Sequence, residues 1–463
     1  MGKETRMKRY DDVNIIKAYA CLAVFGSHWF GTFGSWGSNK VNALMEIGPL
    51  PLLRYGTFGV SLFLMISGML IADKVYSGRF TSWSLEILRR YLKLTCPLTV
   101  TFLLAYLFYR SGLFYTVRVA PRLENEWLSN FYSYLPGGLK ALRYAWFDTI
   151  FKADSTYYGP SWMLTYTFMG SILTLVLSSA LREVGTRQKI LILAGVAAVL
   201  IGMNSFYICL LLGNGICLLM RAVEKSMKER ERKENLLKDG EEKYGIFGAA
   251  LWIFSIWFVR KSFWIGTTLG AHGFPGGLGT MEFYGHVAAF LMILGFRLFW
   301  LGGLETWLPE TLKKIILWIG EYSMGIFLTH WLVIASFSCW FYSIYSEAGE
   351  KLAIGVNLVL SCILIGICSK VYVWLVDGKI FPCVWKCAKN ILKENRGSKV
   401  PTARLASRSI PSEMSERVMW TSFGSRERLE VHRAPSPHPI SRICIPDLIW
   451  HWVKIQGNHP RGF

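Results

Sequence analysis

Charge is scarce in this chain, and metal-binding or disulfide-type cysteine patterns are missing from it. Only 18% of the 463 residues are Asp, Glu, Lys or Arg, against about 25% in soluble domains. That excludes an ordinary water-facing surface over most of its length. The ten cysteines include no CxxC pair and no zinc-like Cys/His spacing, so no metal site is expected and packing inside apolar segments is their expected role. There is no HExxH, no nucleophile elbow and no evident internal repeat. These absences exclude the common soluble hydrolase signatures. The first apolar run lacks a small-residue cleavage site and is expected to be retained. What the chain has in quantity is apolar and aromatic: 52% hydrophobic residues, with 19 Trp, 21 Tyr and 29 Phe. Aromatics in such numbers suit the two membrane–water interfaces.

The apolar runs predict an all-α, polytopic membrane bundle of about ten transmembrane helices, near 13–30, 55–72, 94–113, 160–181, 190–202, 206–220, 244–259, 285–301, 315–337 and 352–376. Net charge is +20, which in a soluble protein would suggest nucleic acid. Here the basic residues cluster in short segments between spans, where they set topology instead, and no nucleic-acid partner is expected. Lys3, Arg6, Lys8 and Arg9 predict a cytoplasmic N-terminus; Lys74, Arg79, Arg89, Arg90 and Lys93 mark the same side, and so does the mixed-charge segment 221–243. The aromatic-rich stretch Phe114 to Gly159 is then outside. GAHGFPGGLGT at 270–280 does not lie between a strand and a helix, so it is not a phosphate-binding loop. Two parts result: 1–390 as the membrane domain, and 391–463 as a basic cytoplasmic tail rich in Ser, Pro and Arg with little to bury. The tail also reads like shifted-frame sequence, and no chemistry is assigned to it.

The first run, VNIIKAYACLAVFGSHWF, carries two ionisable residues, Lys17 and His28. Eleven residues are close to three turns, so both lie on one face, about 16 Å apart along the axis. Asn14 and Cys21 share the stripe of His28. Ionisable groups within a membrane helix are expensive, face the bundle interior or water, and are functional candidates by default.

With these pieces in order, the chain resembles the membrane-bound acyltransferase-3 family over about residues 8 to 377. Lys17 and His28 match the family's basic-residue, ten residues, His motif, with Lys in the usual Arg place. FGVSLFLMISGMLI at 58–71 is similar to the family's second helix. Arg89, Arg90 and Lys93, followed by Pro97, resemble its basic cluster, where two Arg stand three apart. GPSWMLTYTFMGSIL at 159–173 resembles a motif with Trp followed five residues later by Glu; here Trp162 is followed by Thr167. GEYSMGIFLTHWLVI at 320–334 resembles its "SYS–YL–HWP" motif through Tyr322, Ser323 and His330.

The resemblance implies an integral-membrane O-acyltransferase that moves an acyl group, acetyl by expectation, from acyl-CoA to a hydroxyl of a cell-envelope glycan or glycolipid in the plasma membrane. Acyl-CoA would be a donor substrate, with no tightly bound cofactor. Membrane lipid and a second copy of the chain are further candidate partners. His28 is the candidate base, because an imidazole with an ordinary pKa near 6.5 accepts and releases protons near neutrality. Lys17 and Thr167 are placed with it in the catalytic group, Thr167 where a Glu would orient the histidine. Arg89, Arg90 and Lys93 are expected to hold the donor's phosphates, and Trp162 and His330 to contact substrate. Tyr322 and Ser323 are expected to pack, while Glu282 and His286 border the eighth span as candidate sugar contacts. The competing readings are a transporter or flippase, whose Lys and His line a path, and an inactive relative.

Overall fold

The computed structural model describes residues 11–33, 53–80, 82–234, 237–274, 276–303 and 309–397. The expectations for Met1 to Arg9 and for the tail beyond 397 lie outside the described residues. The chain divides into two units, Met1–Lys389 and Asn390–Phe463. It is helical throughout, with no strand among the described residues.

Ten apolar segments fall on helices in the expected order. They are α1 (Asp11–Phe33), α2 (Gly56–Tyr76), α3 (Trp83–Arg110), α4 (Met163–Ala180, entered through a 3₁₀ turn from Gly159), α5 (Thr186–Gly202), α6 (Tyr207–Glu234), α7 (Leu237–Ala271), α8 (Met281–Leu301), α10 (Ser323–Val333) and α11 (Cys339–Leu375); α11 is kinked at Gly349 (φ 148°), so that α10 with the first part of α11 forms one apolar span, Ser323–Glu347, and the next begins at Ala353. An amphipathic helix, α9 (Glu310–Glu321), precedes α10, and α12 (Phe381–Gly397) follows α11. By length and composition alone, seven segments can cross a membrane, and eight when the two parts of α7, bent by 48°, count as one. The polar α1 and the 17-residue α5 lie outside that count, so seven to eight spans stand against the expected ten.

The bundle is organised around α2. Its sequence has no polar face, as expected for a helix buried all round, and Leu62, Leu64 and Met65 are fully buried. It packs against α1, α4, α6 and α8. Glycines permit the closest approaches: a Cβ on Gly213 of α6 would lie 2.1 Å from the Met65 carbonyl oxygen, the small-residue packing that membrane helices rely on. Around the outside, Val356, Val359, Ile363, Ile367, Val371 and Trp374 of α11 form an exposed apolar stripe at helical spacing, a surface suited to lipid.

Enclosure explains how α1 keeps its polar residues. It is packed between α2 on one side and α9 and α10 on the other, so its polar stripe faces protein. The ninth expected span, 315–337, is not continuous. It breaks at Tyr322, which ends α9 and begins α10, because Lys313, Lys314 and Glu321 give α9 a charged face that a buried helix cannot carry. Phe114 to Gly159 is not a featureless loop either; it contains the short helices Thr116–Val119, Glu126–Ser129 and Gly138–Arg143 and further turns.

Candidate active site

At the far end of α1 from Asp11, His28 meets His330 of α10, with ring centroids 5.3 Å apart. Trp331 approaches His28 at the same 5.3 Å, and Trp127 stacks on it at 6.3 Å with planes 12° apart. Phe131 closes on Trp331 at 4.7 Å. The connection after α3 therefore supplies an aromatic wall, and Asn125 fastens it. The Asn125 side chain accepts from Leu128 N at 3.1 Å, capping a short helix, while its amide donates to the Gly31 carbonyl at 2.7 Å. Carbonyls at the end of a helix lack intrahelical partners, and this one gains a donor.

His330 is 1% exposed and its orientation is set. The Tyr158 hydroxyl donates to the Phe327 carbonyl, which uses its one proton. Its oxygen, 3.2 Å from His330 Nδ1, is left to accept, and the Ile326 carbonyl lies 3.1 Å from the same nitrogen. Two acceptors facing Nδ1 place the proton there. Nε2 is then the lone-pair nitrogen; it is buried and has no hydrogen-bond partner. His28, by contrast, stays half-buried. The pair sets a less enclosed imidazole beside a second one whose tautomer is fixed.

The other end of α1 collects cations. Lys17 Nζ donates to Asn14 Oδ1 at 3.2 Å, and its charged neighbours are Lys93 and Glu321. Gly320 makes this contact close: a Cβ there would lie 2.0 Å from the Asn14 carbonyl oxygen. Pro97 has no N–H, so the Lys93 carbonyl lacks its helical donor. Arg90 Nη1 donates to Ser171 Oγ at 3.3 Å, and Ser171 donates on to the Thr167 carbonyl. Arg89 is exposed.

The sequence candidates thus separate into groups. His28 and His330 come together at one end; Lys17 and Lys93 come together at the other. Thr167 joins the Arg90 end, since its own hydroxyl donates to the Met163 carbonyl at 3.0 Å and its carbonyl reaches Arg90 through Ser171. Its hydrogen bonds do not run to His28. Trp162 belongs to a third group, edge-on to Phe206 at 5.4 Å, with Phe206 in turn 5.0 Å from His286. His286 Nδ1 lies 2.8 Å from Ser61 Oγ, and that hydroxyl is also 2.7 Å from the Thr57 carbonyl. Tyr322 stacks on Trp318 at 4.9 Å, and the Ser323 carbonyl accepts from Cys21. No cluster of three or more metal-ligating side chains occurs among the described residues.

A family model described as an acyltransferase domain matches residues 10–373. The chain belongs to the acyltransferase-3 family. No curated protein and no solved structure matches it. The match covers α1 through nearly all of α11, so both ends of α1 lie in the acyltransferase domain, and the chain is an integral membrane acyltransferase. Sequence reasoning missed Tyr158, Trp127 and Trp331 as neighbours of the histidines. Tyr158 and His330 are 172 positions apart, and no spacing rule links them. The only signal was that both adjoin quoted motifs, GPSW and THW.

Proposed function

We propose that this acyltransferase takes an acyl group, acetyl in the simplest case, from acyl-CoA and transfers it to a hydroxyl of an envelope glycan or glycolipid at the plasma membrane. The observation that carries the reading is the polarity of α1: an imidazole pair at one end and a cation group at the other, about 16 Å apart along one helix. The basic end is the cytoplasmic one by the positive-inside rule, and coenzyme A is cytoplasmic. Arg89, Arg90 and Lys93 draw in its phosphates, and Lys17 lies between them and the histidines.

His28 is the general base. It takes the acceptor hydroxyl proton as that oxygen attacks the thioester carbonyl; the C–S bond then breaks, and the proton returns to the leaving thiolate. His330, held by Tyr158, packs against the His28 ring and presents its Nε2 lone pair beside it. Radiolabelled acetyl-CoA incubated with the purified protein and envelope extract tests the reading: label should appear in the glycan fraction. Label confined to hydrolysed acetate would rule out this acceptor class.

A further inference from the structure

The connection between α3 and α4 does not stay at the outer surface. Gly138–Arg143, the π turn Tyr144–Asp148 and Thr149–Lys152 follow one another without a break, and this helical segment runs antiparallel down α3. A Cβ on Gly138 would lie 2.8 Å from the Tyr106 ring. The Trp146 indole donates to Thr99 Oγ1 at 2.9 Å, and the Tyr91 hydroxyl donates to the Trp146 carbonyl. Phe151 then meets the Tyr91 ring at 6.2 Å. Tyr106 to Tyr91 is about 22 Å of α3 at 1.5 Å per residue, so the segment re-enters the apolar layer. Ala153, with φ 57°, ends it, and Tyr157 is back beside Phe102, stacked at 5.4 Å.

Ala141, Ala145 and Asp148 face the protein, whereas Leu139, Leu142, Trp146 and Phe147 are exposed at helical spacing. A π turn brings residues five apart onto one face. Arg143 Nε therefore reaches Asp148 Oδ2 at 3.0 Å, and Lys152 Nζ reaches Asp148 Oδ1 at 2.8 Å. Both cations share one buried carboxylate, yet their side chains remain 69% and 47% exposed. Lys140 is exposed as well. The other carboxylate nearby, Asp154, accepts from Thr156 N at 2.9 Å and from its hydroxyl at 2.7 Å. Residues 138–154 thus hold three cations against two carboxylates, on a face turned to the bilayer. Charge in that layer needs a partner, and an excess cation beside an apolar stripe fits a phosphate carried on an apolar chain. The guanidinium fork matches the phosphate oxygens, and the stripe takes the chain. Tyr144 packs edge-on to Tyr157 at 5.1 Å, and the next residue, Tyr158, holds His330. We infer that this segment seats the phosphate and chain of a lipid-linked glycan acceptor, which enters sideways from the bilayer with its glycan toward the histidines. The inference rests on the transferase reading above and names the acceptor class.

The test photolabels full-length protein in phosphatidylcholine nanodiscs with farnesyl phosphate carrying a diazirine on its chain, and maps the label by mass spectrometry. Label should fall within 139–147, and unlabelled farnesyl phosphate should compete where farnesol and inorganic phosphate do not. Arg143→Gln should cut labelling about fivefold or more through loss of a charge-assisted contact; Asp148 keeps Lys152 as its partner, and a thermal melt checks folding. Leu139→Ala, at a position 87% exposed, puts no packing at risk and should cut labelling about threefold by removing apolar contact. With the organic-solvent extract of the envelope as acceptor, Arg143→Gln should raise the half-saturating extract concentration about tenfold and leave the KM for acetyl-CoA unchanged. Label elsewhere, or equal labelling of wild type and both variants, overturns the inference, while transfer of acetyl to the glycan fraction keeps the transferase reading. Competition by phosphatidylglycerol as strong as by farnesyl phosphate makes the segment a contact for bulk lipid and also overturns it. Label at 139–147 in a protein that transfers acetyl to no acceptor overturns the acceptor role together with the transferase reading.

Discussion

Tyr158→Phe isolates one atom of the proposed site. The side chain is fully buried, the ring is retained, and only the oxygen that faces His330 Nδ1 at 3.2 Å is removed. A net hydrogen bond contributes about 0.5–1.5 kcal/mol. At 1.36 kcal/mol per factor of ten, its loss should slow acyl transfer by about two- to tenfold if His330 acts through orientation. The effect is bounded because the Ile326 carbonyl remains 3.1 Å from Nδ1 and still favours the same tautomer. The Phe327 carbonyl loses the hydroxyl donor as well, so stability should fall by up to about 3 kcal/mol from the two bonds together. Single-turnover transfer at several pH values, with a thermal melt of the same preparation, measures both. A variant that melts lower but transfers at the wild-type rate across the whole pH range would refute the positioning role and leave Tyr158 a packing residue.

Thr167→Val should keep transfer within about threefold of wild type, because the hydroxyl is bonded only back to the Met163 carbonyl of its own helix; a loss beyond tenfold in the same assay would put Thr167 back in the chemistry. Arg90→Gln should raise the KM for acetyl-CoA by about tenfold or more, charge-assisted hydrogen bonds contributing about 1.5–3 kcal/mol, while the KM for acceptor stays constant. Gly320→Leu should destabilise by about 3 kcal/mol or more, since its Cβ would meet the Asn14 carbonyl oxygen at 2.0 Å and overpacking commonly costs about 1–3 kcal/mol; detergent melting temperature and yield report it. Truncation after Asn390 should leave insertion and transfer intact, as checked by membrane fractionation and the labelled-donor assay.

Much of the fold was legible because apolar length and helical period are local properties. The ten apolar runs and the shared face of Lys17 and His28 need only the hydropathy of the chain and 3.6 residues per turn. The break at Tyr322 was written in Lys313, Lys314 and Glu321, but a hydropathy window centred on α10 averages those charges away. The site was legible only where a motif lay along one helix. Trp162 and Thr167 sit one turn and a half apart in sequence, yet Trp162 turns to Phe206 and Thr167 to Ser171 and Arg90. Pairings such as Tyr158 with His330, or Asp12 with Arg297, depend on which helices become neighbours. A single sequence does not encode that in any local pattern.

The central claim, that His28 removes the acceptor proton, is tested most directly by His28→Ala in the labelled acetyl-CoA assay, run beside wild type on equally folded, equally inserted protein. A positioned general base contributes about 10²- to 10⁴-fold, so transfer to the glycan fraction should fall at least a hundredfold with the KM for acetyl-CoA nearly unchanged. Retention of more than about a tenth of the wild-type rate would contradict it.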